Sequence, residues 1–136
     1  MDKAVPARHN VPENGYVLEA NSQTLYVAGD TRFDAKLFHE IANRYPKIDA
    51  ALLPIGGIWS FGRRLDMNPE EAADAFLILK PGNVIPYHYG LTGPFPFLTS
   101  RSEPDKDFLT AIDEKNGGDH SAVVILETGQ SWHHYR

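Results

Sequence analysis

The sequence predicts one α/β domain over residues 1–136. Its core element is a mixed sheet of about five or six strands with three helices on one face. Three observations predict it. Two strand-like runs, residues 15–19 and 24–28, flank a polar turn at residues 20–23 and read as an antiparallel hairpin. After them, apolar strand runs alternate with amphipathic helical segments. Finally, the composition is that of a packed domain, with 42% hydrophobic and 23% charged residues.

The first helix starts at Asp34 as its cap and ends near Tyr45 and Pro46, with Phe38, Ile41, Ala42 and Tyr45 on one face. Residues 48–53 follow as a strand. Asn68, Pro69 and Glu71 form the clearest helix start in the chain. Asn68 caps, Pro69 occupies a position where a missing N–H costs nothing, and Glu71 closes a capping box. That helix runs to Leu79, is apolar on nearly every side, and is stopped by Pro81 and Gly82. Residues 83–86 read as a short strand and 91–102 as a proline-rich loop. Residues 103–115 form a third helix carrying Phe108, Ala111 and Ile112. The apolar run 121–126 reads as a last core strand, with residues 132–135 pairing back on it.

Composition also excludes functions. No apolar run approaches the roughly 18 residues of a membrane span, and the N-terminus has no apolar signal segment. The expected setting is a soluble protein in the cytoplasm. Thirteen basic against eighteen acidic residues give a net charge of −5, which disfavours a nucleic-acid partner. With no cysteine, any metal must be held by His, Asp or Glu.

Candidate ligands gather by geometry. A symmetric hairpin pairs Gly15 with Ala28, which brings His9 and Asp30 to one end of the sheet. His88 follows the strand at 83–86 just as Asp30 follows its own, and functional groups of α/β sheets collect at the carboxyl ends of strands. Two imidazoles and one carboxylate suit zinc, iron or manganese. Spacing alone favours the plainer reading, three ordinary loop residues.

The local wording adds to this. Pro6-Ala7-Arg8-His9, Gly29-Asp30-Thr31, Leu53-Pro54-Ile55-Gly56-Gly57, Asp66-Met67-Asn68-Pro69-Glu70-Glu71-Ala72 and Ile85-Pro86-Tyr87-His88-Tyr89-Gly90 occur in that order. This order resembles the metallo-β-lactamase superfamily, in its lactonase-like and phosphodiesterase-like branch of metal-dependent hydrolases. The resemblance implies that His9 ligates one metal, His88 a second, and Asp30 bridges both. Asp30 and His88 are then the candidate catalytic residues, acting with a metal-activated water.

One departure limits this. The superfamily's His-x-His-x-Asp-His motif, which supplies the other ligands from the first half of a duplicated αββα sandwich, is absent from these 136 residues. The chain thus resembles the C-terminal half of that four-layer fold. The expectation is a metal-coordinating half that is incomplete or inactive alone, with weak or absent zinc, manganese or iron. It would be completed by homodimerisation or by a separate N-terminal half. The alternative is a degenerate metal- or anion-binding module, or a structural interaction module without catalysis.

Residues 56–64 read as a mobile loop without the ending of a phosphate-binding P-loop. In the resembled family this loop lies near the site, which implies Trp59 and Phe61 as pocket walls and Arg63 or Arg64 as contacts for an anionic substrate; the alternative is a solvated turn whose aromatics pack onto the body. Tyr87 and Tyr89 are candidate substrate contacts or packing residues. His39 reads as solvated and His120 as a turn residue. His133 and His134, adjacent on an extended segment, face opposite ways and make a poor chelate.

Overall fold

The computed structural model describes residues 3–6, 14–90 and 101–134. His9 and the loop at 91–100 lie outside the described residues. Strands β1 (Lys3–Pro6), β2 (Asn14–Ala20) and β3 (Gln23–Val27) precede helix α1 (Ala35–Arg44) and strand β4 (Ala50–Pro54). A two-stranded ribbon, β5 (Trp59–Ser60) and β6 (Arg63–Arg64), leads to α2 (Pro69–Leu79), β7 (Asn83–Tyr87) and α3 (Pro104–Lys115). The main sheet has the order β1-β2-β3-β4-β7. Its β1, β2 and β3 pair antiparallel, and β3, β4 and β7 pair parallel. This is the mixed sheet with three helices that the sequence predicts.

Local chemistry explains the elements. Asp34 accepts from the backbone N–H of Lys36 and Leu37, and Asn68 with Glu71 forms the expected capping box. The hairpin register pairs Tyr16 with Val27 and Ala20 with Gln23. Its turn is therefore only Asn21-Ser22, both at positive φ (49° and 60°), the mirror-image turn that suits strand twist.

The two faces of the sheet differ. Val17, Tyr26, Ala51, Leu53 and Val84 point inward and pack with Phe38 and Ile41 of α1, Phe76 of α2, and Phe108 and Ile112 of α3. The opposite face carries the alternate residues in register: Tyr16 beside Val27, Val27 beside Leu52, and Leu52 beside Ile85. Leu18 pairs with Leu25 in the next row. Tyr16 and Leu18 remain exposed, and Leu25, Val27, Leu52 and Ile85 are half-buried.

Three local expectations are corrected. The run 121–126 forms only a single parallel bridge, Val84 to Val123, rather than a strand. Val84 N–H donates to Ala122 O and accepts at its carbonyl from Val124 N–H, both at 2.9 Å. The next donor on that edge of β7 would be Pro86, which has no N–H, so the ladder stops. Residues 131–134 form no strand; Trp132 and His134 instead border a hollow of about 250 Å³ with Leu18, Leu25 and Ala50. Residues 59–64, expected as a loop, close into the β5–β6 ribbon. His39 is exposed, and exposed His120 bonds Asp113 at 2.6 Å. Among the described residues, no helix is long and apolar enough to cross a membrane.

Candidate functional site

Parallel pairing sets the carboxyl ends of β3, β4 and β7 side by side. After β3, Ala28 N–H still donates to Leu52 O at 3.0 Å, and Gly29 then turns the chain at a φ of +72°. A Cβ there would meet Asn14 O at 2.8 Å, so only glycine presents Asp30 in this way. After β7, His88 takes a φ of +58°. Left-handed backbone costs a non-glycine residue roughly 1–2 kcal/mol, a strain typical of functional positions. The two turns come from either side of β4 and meet across its end. His88 Nδ1 lies 3.5 Å from Asp30 Oδ1.

A third residue fixes this arrangement. Asp66 is fully buried; its Oδ1 accepts from Ile58 N–H at 2.6 Å, and its Oδ2 lies 2.9 Å from His88 Nδ1. Burial pushes the Asp66 carboxyl above the ordinary carboxylate range, while the Ile58 N–H and His88 oppose the rise. Where Asp66 is ionised it can only accept, which puts the proton on Nδ1 and leaves the lone pair on Nε2. That is how metal-ligating imidazoles are held: one nitrogen on a buried carboxylate, the other toward the ion. The 3.5 Å contact to Asp30 is too long for a good hydrogen bond. The Asp30 side chain is 63% exposed and keeps its oxygens available.

Tyr87 ties the two turns together. Its hydroxyl donates to Gly29 O at 2.6 Å. Burial, with the charges of Asp30 and Asp66 nearby, pushes the phenol well above its usual range, so it stays a neutral donor. Tyr89 is half-buried and packs against the core cluster. With His88 it borders an open cleft of about 700 Å³ that also takes in Asp105 and Glu127. Trp59 and Arg63 lie on the β5–β6 ribbon, with Trp59 paired to Arg64 and Ser60 to Arg63.

The structure therefore brings Asp30 and His88 together and puts Tyr87 behind them. The third expected ligand, His9, lies outside the described residues. The strands flanking its segment end at Pro6 and Asn14, which pair with each other, and Asn14 O lies against Gly29. Among the described residues, no group of three acidic or histidine side chains converges on a metal position. By donor chemistry Asp30 and His88 suit a metal, and they need others to complete the set. Sequence reasoning missed Asp66 as the partner of His88. It reads as a loop residue ahead of a helix cap, and a pairing across 22 positions leaves no local spacing to find.

Residues 3–89 match the profile of the beta-lactamase superfamily domain. A metal-dependent hydrolase of Thermococcus kodakarensis is 37% identical over 125 residues, covering 90% of this chain and 47% of that protein. One from Pyrococcus furiosus is 37% identical over 137 residues, covering 93% and 52%. Igni18, a metallo hydrolase of the archaeon Ignicoccus hospitalis, superposes with a TM-score of 0.69 at 28% identity, over 95% of this chain and 50% of that one. The chain spans about half the length of the curated relatives it matches.

Proposed function

Since the chain belongs to the metallo-β-lactamase superfamily, its residues 3–89 matching that domain, we propose that it is the C-terminal, metal-coordinating half of a metal-dependent hydrolase. Within the superfamily we assign it to the lactonase-like and phosphodiesterase-like branch, acting on a small molecule in the cytoplasm. The observation that carries the reading is the buried Asp66 holding His88 beside Asp30 at the carboxyl ends of β3 and β7. His88 Nε2 and Asp30 are two of its ligands and His9 the third. Zinc fits a cysteine-free set of imidazoles and carboxylate, with manganese or iron as substitutes. When bound, such a metal supplies a water acidified toward a pKa of about 7. This chain's own residues supply position: Asp66 fixes the His88 tautomer, and Tyr87 fixes the Asp30 turn.

The remaining ligands come from outside these 136 residues, so we propose that the chain alone has no turnover. The sheet face carrying Tyr16, Leu18, Leu25, Val27, Leu52 and Ile85 supports this: Trp132 and His134 border only its Leu18–Leu25 end, and Tyr16 and Leu18 remain exposed. Covering an apolar patch of order 500 Å² per partner at about 25 cal/mol per Å² favours association even after its entropic cost. A second copy or a separate N-terminal half would close the face. Light scattering coupled to size exclusion tests this for the chain alone. At micromolar concentration the expected species is a dimer of about twice 15.2 kDa; a stable, soluble 15 kDa monomer contradicts the half-sandwich reading.

A further inference from the structure

The β5–β6 ribbon is fastened to the same carboxylate as His88. Its base is closed by Leu65 N–H donating to Ile58 O at 2.8 Å and Gly57 N–H to Met67 O at 2.9 Å. Met67 N–H in turn donates to Thr31 O at 3.0 Å, which sets the ribbon beside the turn that carries Asp30. Ile58, immediately before Trp59, is bonded to Asp66. Between the ribbon and that turn lies a groove of about 480 Å³ lined by Arg32, Trp59, Gly62, Arg63 and Arg64.

Three guanidiniums and no carboxylate line this groove, in a protein whose net charge is −5. Arg64 is partly neutralised by Glu71 at 2.5 Å. Among the described residues, Arg32 and Arg63 form no ion pair. Packing does not account for Trp59 either. It is 48% exposed, although burying the ring would be favourable. Guanidiniums bind oxyanions through paired N–H donors, and an indole face accepts a planar or apolar body.

We infer that this groove binds the phosphoryl group of the substrate through Arg32 and Arg63, with the substrate's apolar body against Trp59. Arg32 lies two residues from Asp30, so an anion held there sits at the margin of the proposed metal ligands. The inference rests on the reading above, in which Asp30 and His88 face the reacting substrate. It adds the substrate class, a phosphorylated small molecule, and Arg32, a residue that sequence spacing does not single out.

The test uses phenyl phosphate on the full chain stripped of metal on a chelating resin, following the two indole N–H resonances by NMR. Trp59→Phe assigns them. The expected result is a saturable shift of the Trp59 signal that weakens about tenfold or more in Arg32→Ala and again in Arg63→Ala, as loss of charged hydrogen bonds requires. Phenol should give no such shift. Affinity should fall steadily with added salt.

Absence of a saturable shift, or a shift unchanged in both arginine variants, overturns the inference. Benzoate binding as tightly as phenyl phosphate overturns the phosphoryl assignment. Binding that appears only with added zinc and vanishes in His88→Ala places the phosphate on the metal and overturns the groove. Because the chain is metal-free in the main titration, a failure of the metal reading leaves this result standing.

Discussion

Asp66→Asn should weaken zinc binding by about 10–100-fold, the usual cost of losing the carboxylate behind a ligating imidazole, while the fold survives. The amide keeps an oxygen for the Ile58 N–H, which now lies 2.6 Å from Asp66 Oδ1. Its NH2 then faces His88 Nδ1 across the 2.9 Å contact, and a donor there demands a lone pair on Nδ1. The proton moves to Nε2, the nitrogen left for the metal. Stability should change little. Burial holds the Asp66 carboxyl pKa above its ordinary range, so the carboxyl favours the fold at low pH and loses that contribution as pH rises through its folded pKa. The amide therefore removes the cost of a buried ionisable carboxyl while giving up the charge-assisted bonds a carboxylate makes. Isothermal titration with zinc and thermal melts read the two effects separately. A melting loss as large as the affinity loss would show that Asp66 only holds the fold together.

Gly56→Ala should destabilise the chain by about 1–3 kcal/mol, the range of overpacking in a tight site, and should also disturb His88. A Cβ at Gly56 would stand 2.3 Å from His88 O and 2.9 Å from Ile58 Cγ1. The first neighbour is backbone and cannot swing aside. It is also local to the bond from Ile55 N–H to Tyr87 O at 3.1 Å, which ends the β4–β7 pairing. Relief must therefore push the end of β7 away and carry the His88 turn with it. Urea unfolding with and without zinc checks this. The variant should lose stability in both conditions and lose most of the zinc-dependent gain, whereas a change within 0.5 kcal/mol would contradict the close approach.

The helix caps and the main hairpin were legible in the sequence. Asp34 and Asn68 announce their helices because a cap acts within one turn. The hairpin's two-fold pattern places Gly15 beside Ala28, and Asp30 and His88 follow from the strand ends. What was not legible depends on distant partners. Nothing in the spacing of Asp66 tells that its carboxylate returns to His88, and the apolar run at 121–126 gives no hint that Pro86 on the neighbouring edge ends its ladder. The ribbon at 59–64 was hidden for a related reason. Its two-residue strands are too short for alternation to show, and its base is closed by bonds to the carbonyls of Ile58 and Met67.

Zinc K-edge X-ray absorption on the zinc-loaded chain tests the metal assignment most directly. The account predicts a nitrogen and oxygen shell, with the imidazole nitrogens at about 2.0–2.1 Å. Outer-shell imidazole scattering should diminish in His88→Ala. A spectrum from the His88→Ala chain identical to that of the unsubstituted protein would place the zinc elsewhere and contradict the account.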